Sequence, residues 1–519
     1  MPTVHRPISS QRRAWLWFGL CAAIALPRAY LAIHDQGMVW ADEIFQTLEQ
    51  GHRLAFGYGF VPWEFKDAAR SWFLPGVIGG VMKLLAAGGV ASGASLAIGV
   101  KLLFAALAVV TFYPMLRMAE AWGGIFAAVL LGVVASVFPA CLIYSTRALS
   151  EVASAPLLTW GLWLLWPWGM GRAGRAAAYV TVPTLGGWSG GTRRLLVVGL
   201  LFGLAALVRY QNGILLPAIL IIVLARRSFR AAALVAVGII VVLLIGGLLD
   251  WVTWGKPFRS LIVYVRFNLI EGGANLWGVA SRDFFLRVML STNGPAVWIL
   301  TLGFLAGLRR TWPVALPALL FFSVHSAIPH KELRFLYPVL PLFLLCAAVG
   351  LAVLVAKLHF LRWRQVAVTS VLALFLGVVF AVRTCSVSFA DIGQPMLGAE
   401  GPTSSLVWRA FDARNRLFKQ AGSHADICGL AAPTMNAYWT GGYTYLHRPI
   451  PIVWSGTRRD FDIANYVLMS PGQKMTDPRY RNLAQDGAYV LYRREGACIA
   501  PLRGSLAFGR LTPVGVLGL

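Results

Sequence analysis

His330-Lys331-Glu332-Leu333-Arg334-Phe335-Leu336-Tyr337-Pro338-Val339-Leu340-Pro341 leads without a break into an apolar run that ends at Val355. Leu333 to Val355 is long enough to cross a hydrocarbon core, which takes about 20 apolar residues. A run of this kind makes the fold helical and membrane-embedded. His330, Lys331, Glu332 and Arg334 stand at its mouth. Charge at a membrane boundary is costly unless partnered, so such a cluster is read first as a functional site. Cations at this density suit an anion, and phosphate is the natural one because Arg and Lys bind it directly. The competing reading is a pair of headgroup anchors; the carboxylate between the cations argues against it.

The rest of the chain agrees with that class. Of 519 residues, 58% are hydrophobic and only 13% charged, about half the share usual in soluble proteins, and the mean hydropathy is +0.67. Further apolar runs fall at Ala14–Ile33, Leu96–Leu116, Ile125–Tyr144, Val152–Met170, Leu195–Val208, Gly213–Leu224, Ala231–Leu249, Pro295–Leu308, Trp312–Ile328 and Ala367–Val382. With Arg334–Ala356 they predict about 11 transmembrane helices. Trp72–Leu85, broken by Pro75, Gly76, Gly79, Gly80 and Lys83, reads as an interfacial helix. The net charge of +25 is not that of a nucleic-acid binder, because no basic stripe interleaved with aromatics lies on a soluble domain.

Basic residues cluster in alternate connectors: Arg6/Arg12/Arg13, Arg117, Arg172/Arg175/Arg193/Arg194, Arg226/Arg227/Arg230, Arg309/Arg310 and Lys357/Arg362/Arg364. The positive-inside rule puts these and the N-terminus in the cytoplasm and the C-terminus outside. The predicted organisation is a membrane module over residues 1–383, with outer loops at 34–92 and 250–294, and a small mixed α/β extracytoplasmic domain over 384–519. Turn signals (Gly441-Gly442, Pro471-Gly472) and β-like runs such as Tyr489–Tyr492 mark the last part. Cys428 and Cys498 lie there, and an extracytoplasmic location permits a disulfide between them.

Every unusual polar cluster then faces outward. Asp42 and Glu43 follow the first helix, beside Trp40 and Phe45. A carboxylate in such a place can serve as general base toward a hydroxyl; the alternative is an N-cap and first-turn acid on a helix Glu43–Arg53. His52 and Arg53 on that helix, Arg147 and Arg209 at outer helix ends, and Arg266 with Asn268 in the second large loop are candidate substrate contacts, each open to the plainer reading of a solvated or snorkelling side chain. No Gly-rich phosphate loop, nucleophile elbow or metal-binding helix motif occurs.

ADEIFQTLEQGHRLAFGYGFVPWEF (residues 41–65), with HKELRF (330–335) and FLYPVLPL (335–342), resembles the mannosyltransferases of glycosyltransferase family 22, which have the GT-C fold. The likeness is nearest the branch acting on glycosylphosphatidylinositol or lipid-linked oligosaccharides. It implies an inverting transfer of mannose from a polyprenyl-phosphate-mannose, usually dolichyl-phosphate mannose, to a glycan or glycolipid acceptor. Asp42 is then the general base and Glu43 its orienter or substitute. His330, Lys331 and Arg334 meet the leaving phosphate, with Glu332, Arg147 and Arg209 as helpers. The resemblance implies no cofactor and no obligatory metal. Dense Ala, Gly and Arg usage predicts a bacterial inner-membrane protein with its site facing the periplasm; in a eukaryote the membrane is the endoplasmic reticulum. A GT-C transferase of arabinose, glucose or aminoarabinose, and a polytopic transporter, are the rival readings.

Overall fold

A computed structural model of the chain describes residues 10–169, 191–224, 229–358, 362–394, 406–433, 435, 439–454 and 458–499. Arg6, Arg172, Arg175, Arg226 and Arg227 of the basic connectors lie outside them. In hydrocarbon a backbone must satisfy its own hydrogen bonds, so apolar runs become helices. Six described helices are long and apolar enough to cross a membrane: Gln11–His34, Gly93–Val137, Gly191–Val208, Phe229–Trp254, Leu333–Lys357 and Trp363–Ser386. The chain is an integral, multi-pass membrane protein.

Two of the helical runs hold more than one expected span each. Leu96–Leu116 and Ile125–Tyr144 were read as separate spans, yet Gly93–Val137 is one helical run of 45 residues. At about 1.5 Å per residue it is more than twice the thickness of a bilayer core. It breaks at Gly124, whose φ of 77° and ψ of −178° are open to glycine alone at low cost. Both legs meet one side chain: Arg28 lies over Phe112 at 5.8 Å and donates to the Ala135 carbonyl at 2.8 Å. Val297–Ala327 is likewise one run across two expected spans, with Pro313 and Pro317 inside it. It follows Asn293, which accepts from the Ala140 amide at the outer end, passes Trp122 at Pro313 and Val314, and returns His325 to the side of Phe335. Arg309 and Arg310 stand midway along that run, exposed, between the two expected spans.

The first outer loop is folded. A π-helical turn, Glu43–Leu48, runs into the helix Glu49–Phe56. Asp42 makes no capping bond to it, so the N-cap alternative does not apply. Phe73–Ala87 is a helix of 15 residues, about 22 Å long and too short to span. It packs on Glu49–Phe56 backbone to backbone: a methyl group on Gly79 would come within 2.8 Å of the Gly51 carbonyl.

Beyond the last membrane helix, β1 (Leu430–Ala431), β2 (Ile452–Val453), β3 (Tyr466–Met469), β4 (Arg481–Asp486) and β5 (Tyr489–Arg493) form one sheet in the order β2-β1-β3-β5-β4. β1 is parallel to β2 and β3; β5 is antiparallel to β3 and β4. The helix Asp412–Ser423 packs beside it. Cys428 and Cys498 are joined in a disulfide across 70 residues. Closing a loop of this size removes entropy from the unfolded chain, so Cys428→Ser is expected to cost the small domain about 2–4 kcal/mol. Limited proteolysis of the variant should cut within residues 428–498 at protease levels that leave the native protein whole.

This domain sits on the first loop. Glu49 accepts from the Thr444 amide at 2.6 Å and its hydroxyl at 2.8 Å, and from the Phe60 amide at 3.3 Å. Burial pushes the Glu49 carboxyl up, these donors pull it back, and it settles at about 7. Asn415 and Tyr445 both donate to the Gln36 carbonyl, at 2.7 and 3.3 Å.

Candidate functional site

Where the outer ends of the helices meet the two large loops, the structure encloses a cavity of about 490 Å³. Asp42, Gln46 and Glu64 come from the first loop. Arg209 follows the helix Gly191–Val208. Tyr264, Phe267, Asn268 and Trp277 come from the second loop, and His330 to Arg334 close the far wall. Asp42 and the HKELRF corner, almost 300 residues apart, therefore face one space.

They are directly bonded. Arg334 Nη1 lies 2.6 Å from Asp42 Oδ2 and 3.2 Å from Glu151 Oε1. Its Nε and Nη2 grip both oxygens of Glu332, at 2.8 and 2.7 Å. Glu151 is also held by Arg209 at 3.0 Å. Glu332 accepts from Gln394 at 2.5 Å, and Gln394 in turn accepts from the Trp40 indole at 3.2 Å. Gln46 donates to Asp42 Oδ1 at 2.7 Å and to Glu64 at 3.2 Å. Asp42 is thus fixed from two sides by a chain of charge-assisted bonds. Only two of a carboxylate's roughly four acceptor positions are taken, and its side chain keeps 27% exposure toward the cavity.

The electrostatics follow from these contacts. Burial would raise the Glu332 carboxyl, but Arg334 and His330 outweigh it and hold the group well below the carboxylate range. Burial would likewise lower His330; its hydrogen bond to Glu332 and the charge there overcome this and raise it. Glu64 goes the other way: burial pushes it up to about 6, against the pull of Arg70. Lys331 donates to the carbonyls of Ala280 and Pro329, at 2.8 and 3.4 Å, and burial lowers it.

The other candidates lie elsewhere. Glu43 is fully buried, 3.6 Å from Arg147; burial raises its carboxyl against Arg147 and Lys101. It does not line the cavity, so its place does not suit a substitute base. Arg147 is buried too, bonded to Asp35 at 2.6 Å and to the Gly37 carbonyl, and serves the packing under the loop. His52 is covered by the small domain, its Nε2 2.9 Å from His447 Nδ1, and burial next to His447 lowers it to about 3. Arg53 shares that helix and is likewise absent from the lining. Arg266 points to water and pairs with Glu271 at 2.6 Å; its neighbours Phe267 and Asn268 are the ones that line the cavity. Sequence reasoning missed Glu64, Arg70, Gln394 and Glu151 as site residues. The only available signal was that Glu64 and Arg70 sit in the same acidic-aromatic loop as Asp42.

Comparisons with known proteins agree with this architecture. The structure matches ArnT from Cupriavidus metallidurans bound to undecaprenyl phosphate with a TM-score of 0.56, over 94% of this chain and 100% of that one, at 15% identity. At that identity the likeness is one of fold, the GT-C fold. In sequence the chain is 25% identical over 361 residues to GPI mannosyltransferase 3 of Yarrowia lipolytica, covering 67% of this chain and 64% of that protein. It is 27% identical over 313 residues to GPI mannosyltransferase 3 of Drosophila melanogaster, over 58% and 51% of the two chains. With mouse alpha-1,2-mannosyltransferase ALG9 it shares 30% over 234 residues, 40% of this chain and 38% of that one. The chain thus spans roughly half to two-thirds of the length of the first two relatives, and all three are eukaryotic. A family model described as the Alg9-like mannosyltransferase family matches residues 16–396, a stretch that carries both the Asp42 loop and the HKELRF corner, and the chain belongs to that family.

Proposed function

We propose that the chain is an inverting mannosyltransferase that uses a polyprenyl-phosphate-mannose donor and a glycan or glycolipid acceptor on the extracytoplasmic face. The observation that carries this reading is the placement of Asp42, partly exposed, in one cavity with the cations of the HKELRF corner. In the reaction the acceptor hydroxyl oxygen attacks C1 of the sugar from the side opposite the phosphate. The C1–O bond to phosphate breaks, the electron pair leaves with the polyprenyl phosphate, and Asp42 takes the hydroxyl proton. One base and a good leaving group suffice for inversion, and no second nucleophilic carboxylate is needed. Cations already in place stabilise the charge that grows on the leaving phosphate. Lys331 and His330 are the corner residues available for that. Arg334 is engaged by three carboxylates, and its part is to hold Asp42 in position.

The aromatic wall suits the other ends of the substrates. Trp63 lies 4.6 Å from Phe267 and 6.1 Å from Trp277, nearly parallel to the latter. Leu276, Trp277 and Val279 are exposed on the second loop, an apolar rim fit for an isoprenoid chain. In a bacterium the site faces the periplasm and the carrier is undecaprenyl phosphate; in a eukaryote it faces the lumen of the endoplasmic reticulum and the carrier is dolichyl phosphate. Because the chain's own side chains supply the cations, transfer is proposed to proceed without an obligatory metal.

The test is a transfer assay with purified protein, polyprenyl-phosphate-[¹⁴C]mannose and lipid extract of the native membrane. Label passing into a new lipid or glycan, undiminished by EDTA, supports the reading. A donor carrying arabinose or glucose that reacts in place of mannose moves the specificity to a related transferase.

A further inference from the structure

The cavity is lined by five groups able to carry positive charge: Arg70, Arg209, His330, Lys331 and Arg334. They differ sharply in what already neutralises them. Arg334 contacts Asp42, Glu151 and Glu332; Arg209 contacts Glu151; His330 contacts Glu332 at 3.4 Å. A guanidinium enclosed by three carboxylates sits in a negative local field, and a phosphate brought there meets repulsion from each of them. Arg70 is in the opposite condition. Among the described residues it forms no ion pair, its guanidinium lying over the Tyr264 ring at 5.3 Å. Its backbone carbonyl accepts from the Trp254 indole at 3.2 Å, which ties the segment to the end of a membrane helix. Glu64 shares the cavity and feels the Arg70 charge without bonding to it.

We propose that Arg70, with Lys331 as its partner across the cavity, is the anchor for the donor phosphate. The proposal rests on the polyprenyl-phosphate reading above and assigns that ligand's phosphate to a place in the cavity. A guanidinium held near an aromatic ring by cation–π attraction, with no carboxylate bonded to it, keeps its donors available for a two-point grip on phosphate oxygens. The ring also fixes the side chain beforehand, so less freedom is lost on binding. Tyr264 belongs to the loop that carries Phe267 and Trp277, so a phosphate on Arg70 lies beside the apolar rim that would receive the isoprenoid. Asp42 and Arg334 then remain clear for the acceptor.

The experiment measures binding of undecaprenyl phosphate and of undecaprenol to the purified full-length protein in detergent, by quenching of its tryptophan fluorescence. Wild type should prefer the phosphate, Arg70→Gln should bind it at least tenfold more weakly while holding undecaprenol as before, and Arg70→Lys should recover part of the loss. A second measurement needs no variant: undecaprenyl phosphate, and not undecaprenol, should shield Arg70 from phenylglyoxal in peptide mapping of the native protein. Phosphate preference in wild type that persists undiminished in Arg70→Gln, or an Arg70 modified equally with and without the ligand, overturns the assignment and leaves the donor class standing. A wild type indifferent to the phosphate overturns both.

Discussion

Asp42→Asn is expected to lower turnover by about 10²–10⁴-fold, the range a positioned general base contributes, while undecaprenyl phosphate binds no more weakly than to wild type. The amide keeps the shape of the carboxylate and one acceptor oxygen for Arg334, and Gln46 can turn its own amide over to accept from the new NH2, so the walls of the cavity stay in place. It cannot take a proton from the acceptor hydroxyl. Binding of an anionic donor should not suffer, because the substitution removes a negative charge from the cavity. Glu43→Gln is the informative comparison, since Glu43 sits at the adjacent position but is fully buried against Arg147. It should change melting temperature more than turnover. Wild-type turnover in Asp42→Asn, measured at saturating donor and acceptor, sinks the assignment of the base.

Glu151→Ala is expected to have the largest effect on stability. Glu151 is 1% exposed and is the shared partner of Arg209 and Arg334. Its removal leaves the buried Arg209 guanidinium without a carboxylate partner among the described residues, while Arg334 keeps Asp42 and Glu332. Stranding one buried charge costs about 3–5 kcal/mol in comparable settings. Glu151→Gln, which keeps an acceptor oxygen, should lose less. Arg266→Ala supplies the scale: its pair with Glu271 is exposed and is worth at most about 1 kcal/mol. A thermal-melting series in detergent decides the matter, and a Glu151→Ala protein as stable as Arg266→Ala would show that the cluster is not held by its ion pairs.

The sequence showed the class of fold, the outward-facing site and its two anchor points, because each rests on local pattern. A long apolar run, a positive connector and a carboxylate beside aromatics can each be seen within twenty residues. What it did not show depends on partners far apart in the chain. Glu151 reads as the first-turn acid of a membrane helix until Arg334, 183 residues later, is seen to meet it. Arg334 reads as a free phosphate ligand until its three carboxylates are counted. Arg70, in Ala69-Arg70-Ser71, carries no local sign of being unpaired. His52 and Arg147 were misplaced for a different reason: an outer loop was assumed to face water, whereas Asn415, Thr444, Tyr445 and His447 of the small domain contact or lie over it. The break at Gly124 separates the two spans that hydropathy placed on either side of it.

The seating of the small domain on the first loop gives the cavity one fixed jaw and one pliant one. The segment that carries Asp42 is pinned from below by Arg147 and from above by Thr444 and Asn415. The end of the second loop is tied to the C-terminal region by Ser291 and Thr292, which both donate to the Asp391 carbonyl. Among the described residues, however, its middle carries no such cover and presents Leu269, Ile270, Leu276 and Val279 to the surroundings. Any adjustment to substrates of different bulk therefore falls to the second loop, while the proton acceptor keeps its coordinates. An enzyme built this way can drift in the acceptors it admits by changes along residues 250–294 without disturbing the step it performs on them.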